Sequence, residues 1–213
     1  MDFRYLAIEG PIGVGKTTLA ERLGARLNAT VVVEEGENPF LAGLYNGQSG
    51  AAFQTQLFFT LARHRQLLGL RQHDLFSQAT ICDYLFERDR IYAYLNLDDN
   101  ELFIYQRLFD LVARDLSQPD LVVYLQAPTE LLLRRLRERA RRDALEVPLP
   151  GDQYVTQLNE AYNHFFFHYT ATPLLVIETS QVDLTWGEEA VGDLLKQIET
   201  MAKGTRYYVP RTG

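Results

Sequence analysis

Cysteine is nearly absent from this chain: Cys82 is the only one in 213 residues. A lone thiol excludes an internal disulfide and suits a reducing compartment. Positive charge is in deficit too, with 21 Lys and Arg against 28 Asp and Glu and a net charge of −7. That balance argues against nucleic acid as a partner. No apolar run reaches the ~20 residues that a membrane-crossing helix needs, so no membrane association is expected. The first apolar stretch begins at Phe3 and predicts no leader peptide, and the expectation is a cytoplasmic protein. No repeat or low-complexity segment is visible. Also missing are an Asn-Lys-x-Asp run, which a regulatory GTPase needs to read guanine, and an apolar strand ending in Asp-Glu, usual in ATPase modules. The chain is 46% hydrophobic and 23% charged, a composition able to build a core. Its length suits one α/β domain over residues 1–213.

What is present begins with Gly10-Pro11-Ile12-Gly13-Val14-Gly15-Lys16-Thr17-Thr18. This is G-x-x-x-x-G-K-T, the pattern of a turn that cradles nucleotide phosphates. Gly13 and Gly15 allow a tight turn that aims backbone N–H groups at an anion. Lys16 adds a point charge for the outer phosphates of ATP, and the Thr17 hydroxyl can hold Mg²⁺. The flanks agree. Phe3 to Ile8 is an apolar run of strand length, and Leu19, Ala20, Leu23 and Leu27 recur at helical spacing.

Further apolar runs at 30–33, 79–82, 121–125 and 174–177, with helical stretches between them, predict a five-stranded parallel sheet covered on both faces. Glu34 and Glu35 follow the second run, and Asp83 closes the third. Carboxylates at the ends of parallel strands face the ligand crevice of an open α/β sheet. Gln56 and Arg63 are seven residues apart and share a helix face, whereas Gln54 lies roughly 200° round the helix from Gln56. Six Arg fall between Arg134 and Arg142, just before a Pro-Gly break at 148–151.

Taken together, the chain resembles the deoxynucleoside kinases, and among them the bacterial deoxyguanosine and deoxyadenosine kinases. The resemblance rests on Ile8-Glu9-Gly10 through Thr18, Glu37-Asn38-Pro39-Phe40-Leu41, Phe53-Gln54-Thr55-Gln56, Cys82-Asp83-Tyr84 and Arg139-Ala140-Arg141. It implies a P-loop kinase fold with an Arg-rich lid. It also implies a homodimer that transfers the ATP γ-phosphate, with Mg²⁺, to the 5′-hydroxyl of a deoxynucleoside.

The resemblance makes Glu34 the catalytic base, with Glu35 second. Tyr45 contacts the sugar 3′-hydroxyl. Gln56 and Arg63 read the base, and Asp83 serves substrate and metal. Asp89 reads an exocyclic amino group, unless it belongs to a surface ion-pair cluster with Arg88 and Arg90. Arg139 and Arg141 lie in a lid at about 137–150, and Glu146 approaches the sugar. The family commonly has Arg after the acidic residue, whereas this chain has Tyr84, which leaves the cation that supports the 5′-oxygen unassigned. Deoxyadenosine and deoxyguanosine both remain open as substrates. The apolar segment 103–112 is the expected dimer surface. The competing readings are a nucleoside monophosphate kinase and a non-catalytic nucleotide-binding switch.

Overall fold

The computed structural model describes residues 3–34, 37–73, 79–143, 149–182 and 185–210. Six short strands carry the fold: β1 (Tyr5–Glu9), β2 (Thr30–Val32), β3 (Thr80–Cys82), β4 (Leu121–Gln126), β5 (Leu174–Glu178) and β6 (Thr205–Tyr208). They form one sheet in the order β2-β3-β1-β4-β5-β6, parallel throughout.

Strand alternation sends each central strand's side chains into two cores. Leu6 and Ile8 of β1, Val123 of β4 and Ile177 of β5 pack on one face against α1 (Lys16–Leu27), α6 (Thr129–Asp143) and α8 (Glu188–Glu199). Ala7, Val122, Tyr124 and Val176 face the other way, onto α4 (Arg88–Asn96) and α7 (Asp152–Phe167). A third cluster joins Val32, Cys82 and Tyr84 to α3 (Ala51–His73) and α5 (Asp99–Ala113). Sheets buried on both faces need the near-continuous aliphatic runs seen in β1, β4 and β5.

The sheet has six strands, not the five expected. The sixth, Thr-Arg-Tyr-Tyr, lies on the edge beside β5 and alternates between exposed and half-buried positions. An edge strand with one face on the core needs no aliphatic run, so the search for such runs passes over it.

β1 lies between β3 and β4, and the chain leaves it to opposite sides of the sheet. That is a topological switch point, and the carboxyl ends of the strands around it open onto a crevice. Register brings the ends together: Ala7 pairs with Cys82, and Cys82 with Val32, so Glu9, Asp83 and Glu34 all emerge at this edge.

Candidate active site

The turn from β1 into α1 requires glycine for two separate reasons. Gly15 opens α1 with φ of 104°, in the left-handed region that side chains disfavour. At Gly10 a Cβ would lie 2.5 Å from the carbonyl oxygen of Leu125 in β4. Gly10→Ala is therefore expected to destabilise the protein by about 1–3 kcal/mol, the usual cost of forcing atoms into a packed interior. Urea unfolding measures it, and an unaltered midpoint would show that β4 yields at this point. Lys16 Nζ folds back over the turn and donates to the carbonyls of Gly10 (2.7 Å) and Pro11 (3.3 Å). Burial pushes the Lys16 pKa down, opposed by Glu9 and helped by Arg88.

Asp83 ties this turn to the end of β2. Its carboxylate accepts from the Thr17 hydroxyl at 2.5 Å and from the Glu34 backbone N–H at 2.8 Å. Glu34 is mostly covered, its side chain 22% exposed, and lies between two guanidinium groups. Oε1 accepts from Arg63, and Oε2 forms an ion pair with Arg88 Nη2 at 3.0 Å. Burial alone would raise the Glu34 pKa, but Arg63 and Arg88 outweigh it and bring it down to about 2. The carboxylate is thus ionised across the whole physiological range.

Behind Glu34 lies a buried polar chain. Arg63 also pairs with Asp89 Oδ1, while Asp89 Oδ2 accepts from the Thr60 hydroxyl at 2.7 Å. Gln56 Nε2 donates to the Asp89 backbone carbonyl at 3.0 Å. Asp89 is fully buried, so the surface-cluster reading does not hold. Arg90 instead turns outward to Asp110. Gln56 is buried in α3 and Gln54 is exposed. Asn38 closes its own turn by accepting from Phe40 N and reaches Thr55 O, which pins the preceding loop to α3.

Tyr45 ends α2 (Leu41–Tyr45) and meets Tyr154 of α7 edge to face, with 6.3 Å between ring centres. Burial pushes its phenol pKa up. Arg139 and Arg141 are exposed in the last turns of α6 and are not among the contacts of Glu34 or Asp83. The helix runs unbroken through Ala140, as the best helix former favours. Glu35, Glu146 and part of the expected lid lie outside the described residues.

Two charged residues that the sequence reading left without a role sit at the heart of this cluster. Glu9 ends β1 fully buried and accepts from Gly10 N, Leu85 N and the Tyr162 hydroxyl. It occupies the same kind of strand end as Asp83, and that signal was there to be read. Arg88, the first residue of α4, is buried against Glu34. Among the described residues no group of three or more His, Cys, Asp or Glu side chains forms a metal cage. The hard donors that meet beside the phosphate turn include the Thr17 hydroxyl and the Asp83 carboxylate. No described helix is long and apolar enough to cross a membrane.

With this geometry in hand, comparison with known proteins is specific. The family model for deoxynucleoside kinase matches residues 6–203. The chain is 35% identical over 139 residues to the deoxyguanosine kinase of Bacillus subtilis (strain 168), covering 64% of this chain and 67% of that one. It is 24% identical over 207 residues to the deoxyadenosine/deoxycytidine kinase of the same organism, covering 92% of each. Among solved structures, deoxyadenosine kinase from M. mycoides with bound dATP superposes with a TM-score of 0.75 at 23% identity, covering 92% of this chain and 100% of that one. At that identity the superposition speaks for the fold alone.

Proposed function

We propose that this chain, which belongs to the deoxynucleoside kinase family, moves the γ-phosphoryl group of ATP onto the 5′-hydroxyl of a purine deoxynucleoside, in nucleotide salvage. The observation that carries the reading is the chain of contacts Thr17–Asp83–Glu34. It fixes an ionised carboxylate a short, rigid distance from the turn that would cradle the phosphates.

In the proposed reaction the substrate hydroxyl donates to Glu34 while its oxygen bonds to the γ-phosphorus. The bond from that phosphorus to the β-phosphate's bridging oxygen breaks. ADP leaves with the electron pair, and Glu34 takes the proton. Such transition states are loose, so the nucleophile's proton departs late, and an orienting, ionised acceptor suits the task better than a strong base. Lys16 and the open N–H groups at the start of α1 stabilise charge on the phosphates. Thr17 and Asp83 would hold Mg²⁺, which when bound would supply charge neutralisation at the phosphates. Arg139 and Arg141 would close over the triphosphate as the lid.

An uncharged acceptor suits the acceptor side. Arg63 is committed to Glu34 and Asp89, which cancels its charge and leaves it no donor role towards an acceptor's phosphate. The test is turnover with the four natural deoxynucleosides and with their monophosphates under the same Mg-ATP conditions. Turnover of deoxynucleosides supports the reading; turnover of monophosphates alone overturns it.

On the base side, Gln56 offers its amide to the purine edge and Tyr45 meets the sugar. Buried Asp89 favours adenine, whose exocyclic amino group donates, over guanine, whose 6-oxo group repels a carboxylate. Both purines are expected to be accepted, deoxyadenosine better. Asp89→Asn is expected to shift the kcat/KM ratio towards deoxyguanosine by about tenfold, the effect of one altered buried hydrogen bond. An unchanged ratio would show that the base is read elsewhere.

We place the enzyme in the cytoplasm, in keeping with its single buried thiol. We also read it as one domain and a homodimer. Phe103, Ile104 and Leu111 of α5 are each more than half exposed, and a second copy would cover them. Sedimentation equilibrium checks this: twice the 24.5 kDa chain mass is expected, and a monomer would refute it.

A further inference from the structure

We propose that Arg88 holds the acceptor's 5′-oxygen, and then the oxygens of the transferred phosphoryl group, through its Nε–H and Nη1–H; this rests on the reading of Glu34 as the proton acceptor. The position after Asp83, where a cation was expected, holds Tyr84, whose hydroxyl is engaged with Gln66 at 2.7 Å. No charge is available there. Arg88 supplies one from four residues further on, at the first position of α4.

The guanidinium is buried and has few contacts. Nη2 reaches Glu34 Oε2 at 3.0 Å. Nε lies 3.9 Å from Glu9 Oε2, beyond hydrogen-bonding distance. The Tyr92 ring centre is 5.4 Å from Cζ. Both Nε–H and Nη1–H are buried without a partner. Orphaned donors on a buried cation are costly and rare; these two lie on different sides of the guanidinium, so each can take a separate oxygen. Glu34 and Glu9 keep the group charged despite its burial. A hydroxyl that donates to Glu34 Oε2 shares that oxygen with Arg88 Nη2, so its own oxygen lies within reach of the idle donors.

The consequence is differential binding. A neutral hydroxyl gains little from Arg88, whereas an anionic phosphoryl oxygen gains charge-assisted bonds. A residue that merely braced Glu9 against Glu34 would affect nucleoside and nucleotide binding alike. The experiment therefore compares, by calorimetry, the affinities of deoxyadenosine and of its 5′-monophosphate for the wild-type, Arg88→Gln and Arg88→Lys proteins, with kcat measured in parallel. Arg88→Gln is expected to weaken monophosphate binding about 10- to 100-fold and nucleoside binding less than about threefold, with kcat down about 100-fold. Arg88→Lys is expected to recover part of each loss.

Because removing a buried charge can unfold a protein, a second measurement uses the wild type. The Arg88 Nε–H proton resonance, assigned by its loss in the folded Arg88→Lys protein, is expected to move downfield when the monophosphate binds. A folded Arg88→Gln protein with an unaltered monophosphate-to-nucleoside affinity ratio overturns the proposal, as does an Nε–H signal indifferent to the monophosphate. Wild-type protein that turns over no deoxynucleoside overturns the reading of Glu34 and this proposal together; turnover with either negative result above overturns this proposal alone.

Discussion

Lys16→Ala is expected to lower kcat/KM on the order of 10²- to 10³-fold and to leave the protein folded. The loss has the size seen when one preorganised electrostatic partner of a transition state is removed. Nothing in the described structure replaces the amine on the phosphate turn, where it bridges the Gly10 and Pro11 carbonyls. Its fold-neutrality follows from its pKa. Burial pushes that pKa down, so the fold disfavours the charged amine relative to the unfolded chain. A group shifted in that direction makes the folded state less stable below its ordinary pKa, and stability recovers as pH rises through the window between the two values. Removing the amine removes that cost at neutral pH and offsets the two lost hydrogen bonds. The expected melting temperature is accordingly unchanged or higher, with activity largely gone. Near-normal kcat in the folded variant would show that the turn does not hold phosphates.

How much of this was legible beforehand depends on where the information lies. The central strands were readable because burial on both faces demands unbroken aliphatic runs, and Leu-Val-Val-Tyr-Leu and Leu-Leu-Val-Ile have no other comfortable place in a folded chain. β6 escaped because an edge strand need satisfy only one face. Gln56, Arg63, Asp83 and Asp89 could be named because the family resemblance carries over to their positions, but a resemblance does not say what each touches. The fate of Asp89 was undecidable from sequence: Arg88 and Arg90 flank it, and only the path of α4 turns Arg90 out to Asp110 and Asp89 in to Arg63 and Thr60. Arg88 was hidden by the same local pattern. A guanidinium in a run of alternating charges reads as a solvated face, and its partners, Glu9 and Glu34, are remote in sequence and joined only through the sheet. Glu9 differs. It stands at the end of a central strand, and the rule that singled out Glu34 and Asp83 applies to it equally.

Glu34→Gln is expected to lower kcat by about 10²- to 10⁴-fold while the deoxynucleoside still binds. The amide has nearly the shape of the carboxylate but cannot take the proton. In this site it has a second defect. Arg63 donates to Oε1 and Arg88 is ion-paired with Oε2, and an amide can turn its oxygen to only one of these guanidinium groups, since its NH₂ group would face the other. That mismatch predicts a loss of stability as well as of rate, so Glu34→Asp is the companion variant: it keeps the charge but retracts it. The pH dependence separates chemistry from folding. With its pKa held at about 2, Glu34 contributes stability that is fully present above the ordinary carboxylate pKa of 4.5 and is lost as pH falls towards 2. Wild-type kcat/KM is therefore expected to show no acid limb from this group between pH 5 and 8, and the acid unfolding of Glu34→Gln to lack this residue's share. Substrate binding by calorimetry at pH 7 decides the assignment: a folded Glu34→Gln protein that binds deoxynucleoside and turns it over at near wild-type rate would remove Glu34 from the reaction.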